Sequence, residues 1–297
     1  MGRKKPKTSL EFVLKDPPKS VVTPFLVADL ALLLMFVCHI PLMVMGELPP
    51  NDILPAVLGL LGSMLAGGLI LVWITRVNKR DFRSLGLRVS SWPGFMRGVT
   101  FGFLMVLFTF GSIMLIEGFD FNFNASYNIF AALFLLVATL IESAAEEILF
   151  RGYLQTGVAA KSSFPVALVL QAVLFTATYG LTPNISVAAA ISVFLMGILY
   201  GLVFWLTDNL LMTIAMHFIW NFVTGPILGI SVTTTLLPTT LLTAYPAASE
   251  FISGGAYGIE ASVVTIFVCL AACAIVGWKC YKAQGEKTNG FKHASVN

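Results

Sequence analysis

The chain has 297 residues, of which 57% are hydrophobic and only 11% charged, with a net charge of +3. A soluble domain carries about a quarter charged residues, so this composition excludes an ordinary water-soluble enzyme. The cations are spread over short loops and the termini, which excludes a nucleic-acid footprint and any nucleic-acid partner.

Apolar blocks of spanning length recur along the chain, separated by short polar turns. They predict helices over 21–45, 54–75, 98–116, 129–150, 164–180, 187–206, 210–228 and 260–279. The expected fold is all-α, a polytopic membrane helix bundle with about eight transmembrane helices. Residues 21–280 form one transmembrane domain between an N-terminal tail (1–20) and a C-terminal tail (281–297), with no room for a separate soluble domain. The first block, Val21 to Met45, is long enough to span and lacks a small-residue cleavage site, so it reads as a span rather than a signal peptide.

The charges orient the bundle. With the N-terminus inside, the basic 76–97 loop, the Arg151–Lys161 turn and the lysine-rich tail fall on the cytoplasmic side. The opposite loops, 46–53, 117–128, 181–186 and 229–259, contain no Lys or Arg. Both termini are therefore expected in the cytoplasm, and a prokaryotic cell membrane is the expected setting. The sequons at Asn124 and Asn184 fall in predicted outer loops.

Several stretches depart from simple spans. Trp92-Pro-Gly reads as an interfacial turn or short helix with Trp92 at headgroup level. The 229–259 stretch is too broken by Pro and Gly to span, and is expected to lie on the membrane surface over a cavity. Asp208 is expected to cap the following span. For Asp29, inside the first span, pairing within the bundle and protonation are both open. Cys38, Cys269, Cys273 and Cys280 lie in or at the ends of apolar blocks and resemble small buried or lipid-facing residues rather than a disulfide or metal framework.

The fourth span ends in acids. Charges in so apolar a run cost several kcal/mol unless paired, neutralised or watered. Glu142 and Glu146 share one helical stripe, while Glu147 and Arg151 form an i,i+4 pair about 100° aside. That pair can neutralise itself, which leaves Glu146 as the freer carboxylate. For Glu147 and Arg151 two readings stand, a pin for helix packing or support for a site. On the seventh span, His217 and Asn221 project from one face toward a shared point. They suit a developing oxyanion, and they equally suit hydrogen bonds between helices. On the fifth span, Gln171, Phe175 and Tyr179 share a stripe. Tyr179 is a poor base at neutral pH, so proton donation or positioning is its expected role.

There is no His-Glu-x-x-His pattern and no active-serine arrangement. Only Glu146, Glu147 and His217 are candidate zinc ligands, so neither a metal nor another cofactor is indicated. The spans also lack the paired broken helices in two matching halves expected of a transporter with Glu146 as proton carrier.

Taken in order, the Glu-Glu-x-x-x-Arg at 146–151, the Phe-x-x-x-Tyr at 175–179 and the His-x-x-x-Asn at 217–221 resemble the CPBP family. These are the CAAX proteases and bacteriocin-processing or immunity proteins, also called Abi or type II CAAX endopeptidases. Leu85-Gly-Leu-Arg88, Phe150-Arg-Gly-Tyr-Leu-Gln155 and Ser253-Gly-Gly-Ala-Tyr-Gly-Ile-Glu260 fit as well, and the resemblance covers roughly 80–280. It implies a glutamate-dependent intramembrane protease in which Glu146 activates water, Glu147 and Arg151 support the geometry, and His217 and Asn221 stabilise the oxyanion. The implied partner is a membrane-anchored peptide or protein, prenylated in some relatives, reached through membrane lipid. One departure matters: the family's middle motif ends in a histidine, and this chain has Tyr179 there. The competing expectation is a catalytically weak or silent relative that binds a membrane-protein partner or serves in regulation or immunity.

Overall fold

A chain in lipid must satisfy its backbone hydrogen bonds within each segment, and here each apolar block does so as a helix. The computed structural model describes residues 8–41, 52–116, 118–180, 185–230, 237–247 and 249–294. Its helices are α1 (Ser9–Leu14), α2 (Val22–Val37), α3 (Leu54–Val72), α4 (Trp92–Met114), α5 (Ile129–Glu147), α6 (Phe164–Tyr179), α7 (Val187–Thr207), α8 (Leu210–Phe222) and α9 (Val263–Ala294). The helical runs 54–77, 92–114, 129–159, 187–207, 210–227 and 263–283 are long and apolar enough to cross a membrane. Helices α2 and α6 are apolar but shorter, at 16 residues each. Together these match the eight predicted spans, and the protein is an integral, multi-pass membrane bundle. Residues 42–45 of the first predicted span, most of the 46–53 loop, and Asn184 lie outside the described residues.

Boundaries moved where local chemistry overrode hydropathy. Pro93 sits in the first turn of α4, where its missing N–H costs nothing, so Trp92-Pro-Gly opens a span instead of forming a separate turn. Helix α5 does not stop near 150. It widens into a π-helix over Ile148–Gln155 and then closes with the turn Thr156–Ala159. The structure also adds an element that an all-α reading omits. Strands β1 (Phe119–Phe123) and β2 (Leu242–Pro246) pair antiparallel, with Phe121 opposite Ala244.

The 229–259 stretch is not only a surface loop. After β2 and a helical turn at Glu250–Ser253, two 3₁₀ turns, Gly255–Tyr257 and Ile259–Ala261, fold into the bundle with Tyr257, Ile259 and Glu260 buried. Residues 231–236 of that stretch lie outside the described residues. Asp208 does not cap α8 either. Asn209 does, its side chain accepting from the Met212 N–H. Asp208 instead ends α7 in the left-handed region (φ 49°) and accepts from the backbone and hydroxyl of Ser9 and from Arg88. It thereby ties α1 to the end of the bundle that carries the basic 82–88 turn. Asp29 points outward from α2 rather than into the bundle.

Close helix approach positions the site. Gly98 and Gly102 of α4 lie against α8, and a Cβ on them would come within 2.2 Å of the Met212 carbonyl oxygen and 2.8 Å of the Met216 carbonyl oxygen. Small residues at i,i+4 let membrane helices meet backbone to backbone, which fixes α8, and with it His217, against α4. Gln171 donates to the Gly197 carbonyl at 2.8 Å and Gln155 to the Gly201 carbonyl at 3.1 Å, locking α6 and the π-helix onto α7.

Candidate functional site

The last turns of α5 carry Glu146, Glu147 and, within the π-helix, Arg151, all buried. Arg151 donates from Nη1 to Glu147 Oε1 at 2.8 Å, and both side chains are fully shielded. The guanidinium lies 4.4 Å from the Phe175 ring centre and 5.2 Å from that of Tyr200, so aromatic faces take up part of its charge. Phe175 is held in turn edge-on against Phe150, with centroids 5.1 Å apart at 83°. The α5 pair and the α6 aromatic stripe therefore form one unit.

His217, from α8, stands between the two glutamates. Its Nδ1 is 3.1 Å from Glu147 Oε1 and its Nε2 is 3.8 Å from Glu146 Oε2. A carboxylate only accepts, so the Glu147 contact puts the proton of a neutral imidazole on Nδ1 and leaves Nε2 a free lone pair. Tyr200 stacks on the ring (centroids 5.3 Å, 25°) and holds its plane. From α6, the Tyr179 hydroxyl donates to Glu146 Oε2 at 3.2 Å. One oxygen of Glu146 thus meets a phenol from one helix and an imidazole from another.

Beside this group lies a small hollow with room for roughly one water molecule. Phe175, Tyr179, Tyr200, His217, Asn221 and Glu260 are among its lining residues. Asn221 enters one helical turn beyond His217, as their spacing requires. Of the residues singled out in the sequence, Glu146, Glu147, Arg151, Tyr179 and His217 are joined by direct contacts, and Asn221 shares the hollow with Tyr179 and His217. Glu142 sits one turn before Glu146 and is only partly buried. Among the described residues, no group of three or more His, Cys, Asp or Glu side chains is arranged to hold a metal ion.

Two contributors were not singled out from sequence. Tyr200 lies in an apolar span with no polar neighbour to mark it. Glu260 stands at the edge of a predicted span, where an acid ordinarily signals an interface. Its burial with Trp220, whose Nε1 donates to Glu260 Oε1 at 3.2 Å, depends on the re-entrant turns.

Fold and site together define a polytopic α-helical membrane protein with a shared acid–phenol–imidazole centre enclosed by helices α5, α6, α7 and α8. Residues 128–223 match the family described as type II CAAX prenyl endopeptidase Rce1-like, about a third of the chain and the part holding all six motif residues. Over that stretch the chain is similar to the membrane CAAX proteases of the CPBP family. No curated protein and no solved structure matches it.

Proposed function

We propose that the protein is an intramembrane endopeptidase that hydrolyses a peptide bond in a membrane-anchored or lipidated substrate. The observation that carries this reading is the convergence of the Tyr179 hydroxyl and His217 Nε2 on one oxygen of a buried carboxylate, Glu146, beside a water-sized hollow. Glu146 accepts a proton from water as its oxygen attacks the carbonyl carbon. Tyr179, hydrogen-bonded to Glu146, aims the carboxylate. His217 and the Asn221 carboxamide donate to the oxyanion, and His217 does so from Nε2 as an imidazolium, because Glu147 holds Nδ1. Arg151 balances Glu147, so that the imidazole is oriented by a carboxylate already neutralised.

The substrate enters from lipid, since the site lies within spanning helices, and a prenylated or otherwise anchored peptide fits that route. The lopsided loop charges support an orientation with both termini and the basic loops in the cytoplasm. Tyr179, standing where relatives carry an imidazole, favours a second reading in which the same pocket holds a membrane-protein partner without cutting it.

One assay separates the two. The purified protein in liposomes is given anchored and prenylated peptides, and products are identified by mass. Cleavage by the native chain that disappears in Glu146→Ala, with the melting temperature retained, supports the peptidase. No product from the native chain, or cleavage that survives in E146A, rejects it.

A further inference from the structure

A hydrolysis must also deliver a proton to the departing nitrogen, and either the base that took one from water or a separate acid supplies it. Within the family-matched core the proton-bearing groups have other roles on the proposed path, with the Nε2–H of His217 directed to the oxyanion. The Tyr179 hydroxyl donates to Glu146, and His217 is held by Glu147. The hollow has one more acid on its wall, contributed from outside that core. Glu260 belongs to the 3₁₀ turn Ile259–Ala261 and is 3% exposed.

Its two oxygens differ. Oε1 accepts from the Trp220 indole, whereas Oε2 is buried without a hydrogen-bond partner among the described residues. A lone buried carboxylate is costly, and the one guanidinium in the site, that of Arg151, is engaged by Glu147. The neutral acid avoids that cost. The indole N–H can only donate, and the carbonyl oxygen of an acid is its better acceptor, so Oε1 takes that part and the proton falls on Oε2. The turn is also fixed in place. The Thr265 hydroxyl donates to the Ile259 carbonyl, the Ser262 hydroxyl to the Ile252 carbonyl, and the Ser262 N–H to the Ile259 carbonyl.

We propose that Glu260 is the general acid of the site, passing its Oε2 proton to the nitrogen of the departing peptide. This inference rests on the peptidase reading. In the first step the water oxygen bonds to the carbonyl carbon and Glu146 takes the water proton. In the second the C–N bond breaks, its electron pair stays on nitrogen, and the nitrogen takes the Glu260 proton. The products are a carboxylic acid and an amine. Glu146 is left protonated and Glu260 ionised, and return of that one proton from Glu146 to Glu260 restores both.

The test compares two substrates for native protein, E260Q and W220F in liposomes. One is the peptide that the native chain cleaves; the other is its N-terminal product half as a phenyl ester, whose phenolate leaves without a proton. Glu260→Gln keeps an oxygen for Trp220 but has no acidic proton. Its kcat on the peptide is expected to fall about 100-fold or more, with KM within about threefold and phenyl-ester turnover within about threefold of native. Trp220→Phe, which leaves the carboxyl intact but unfixed, is expected to lower peptide kcat by roughly tenfold and to spare the ester. Equal losses on both substrates would mark a structural role and overturn the proposal, as would peptide kcat within about threefold of native for E260Q. Glu146→Ala is the control for the underlying reading: loss of both activities there with a full-rate E260Q rejects Glu260 alone. Absence of turnover in the native chain removes the peptidase and its acid together.

Discussion

Arg151 shows how a charge survives in this bundle. Its guanidinium is buried against the faces of Phe175 and Tyr200, and among the described residues its ion pair is with Glu147 Oε1 at 2.8 Å. The attraction is large in so apolar a place, but so is the cost of removing both ions from water, and the pair is close to break-even against an apolar pair. Breaking it is another matter, because the surviving charge has no water to turn to. Glu147→Gln is therefore expected to destabilise the protein by about 3–5 kcal/mol, read as a loss of melting temperature in detergent. The double variant E147Q/R151M, which removes both charges, is expected to recover most of that loss; equal melting points for single and double variants would show that the pair is not the source. Tyr179 behaves differently, since its phenol touches Glu146 as a donor and accepts no proton from water. Tyr179→His places a base at the same helical position on a shorter side chain, and kcat on a cleaved peptide is expected to rise at least tenfold, within the range that a positioned general base contributes, roughly 10² to 10⁴. A fall in kcat would mean that the phenol's donation to Glu146 matters more than a second base.

At the level of elements, the site depends on helix approach more than on helix identity. Helix α8 brings His217 and Asn221 to the hollow only because α4 lets it come close, and the contact is made by Gly98 and Gly102. Without a hydrophobic driving force between helices in lipid, such small-residue packing is a main source of association. Gly98→Leu must push aside the Met212 backbone, which a Cβ alone would already meet at 2.2 Å. The expected cost is about 1–3 kcal/mol, with peptide cleavage falling further than stability because His217 shifts relative to Glu146. A variant with native melting temperature and native turnover would show that α8 is positioned by other contacts. The i,i+4 logic of the α5 acids was readable from spacing, and so were the three motif positions, whereas Gly98 and Gly102 of α4 were not singled out. The division of labour at 208–209 was not. Asp and Asn are both good caps, and Ser9, the partner that draws Asp208 away, lies 199 residues distant in the chain.

At the level of the whole molecule, hydropathy made the eight apolar helices visible, since each must be apolar along its own length to sit in lipid. What it hid are the parts whose burial is lent by other segments. β1 and β2 are five residues each and pair across more than a hundred positions of chain. The turns at 255–261 are rich in glycine and read as exposed, yet they fold against α7 and α8 and deliver Glu260. Orientation is the one global property that the loops alone encode. Basic residues collect in 76–97, 151–161 and the tail, and the four alternate loops have none, so the side bearing the Arg88–Asp208–Ser9 tie is expected to be cytoplasmic. Single cysteines at Ser90 and Ser126, both exposed and on opposite sides by alternation of the spans, make this measurable. In intact cells a membrane-impermeant maleimide is expected to label Ser126→Cys directly and Ser90→Cys only after permeabilisation, with the native chain and its four free cysteines as background. The reverse pattern would put the basic loops outside. It would also turn the bundle over, placing the Arg151 end of the site on the outer side of the membrane.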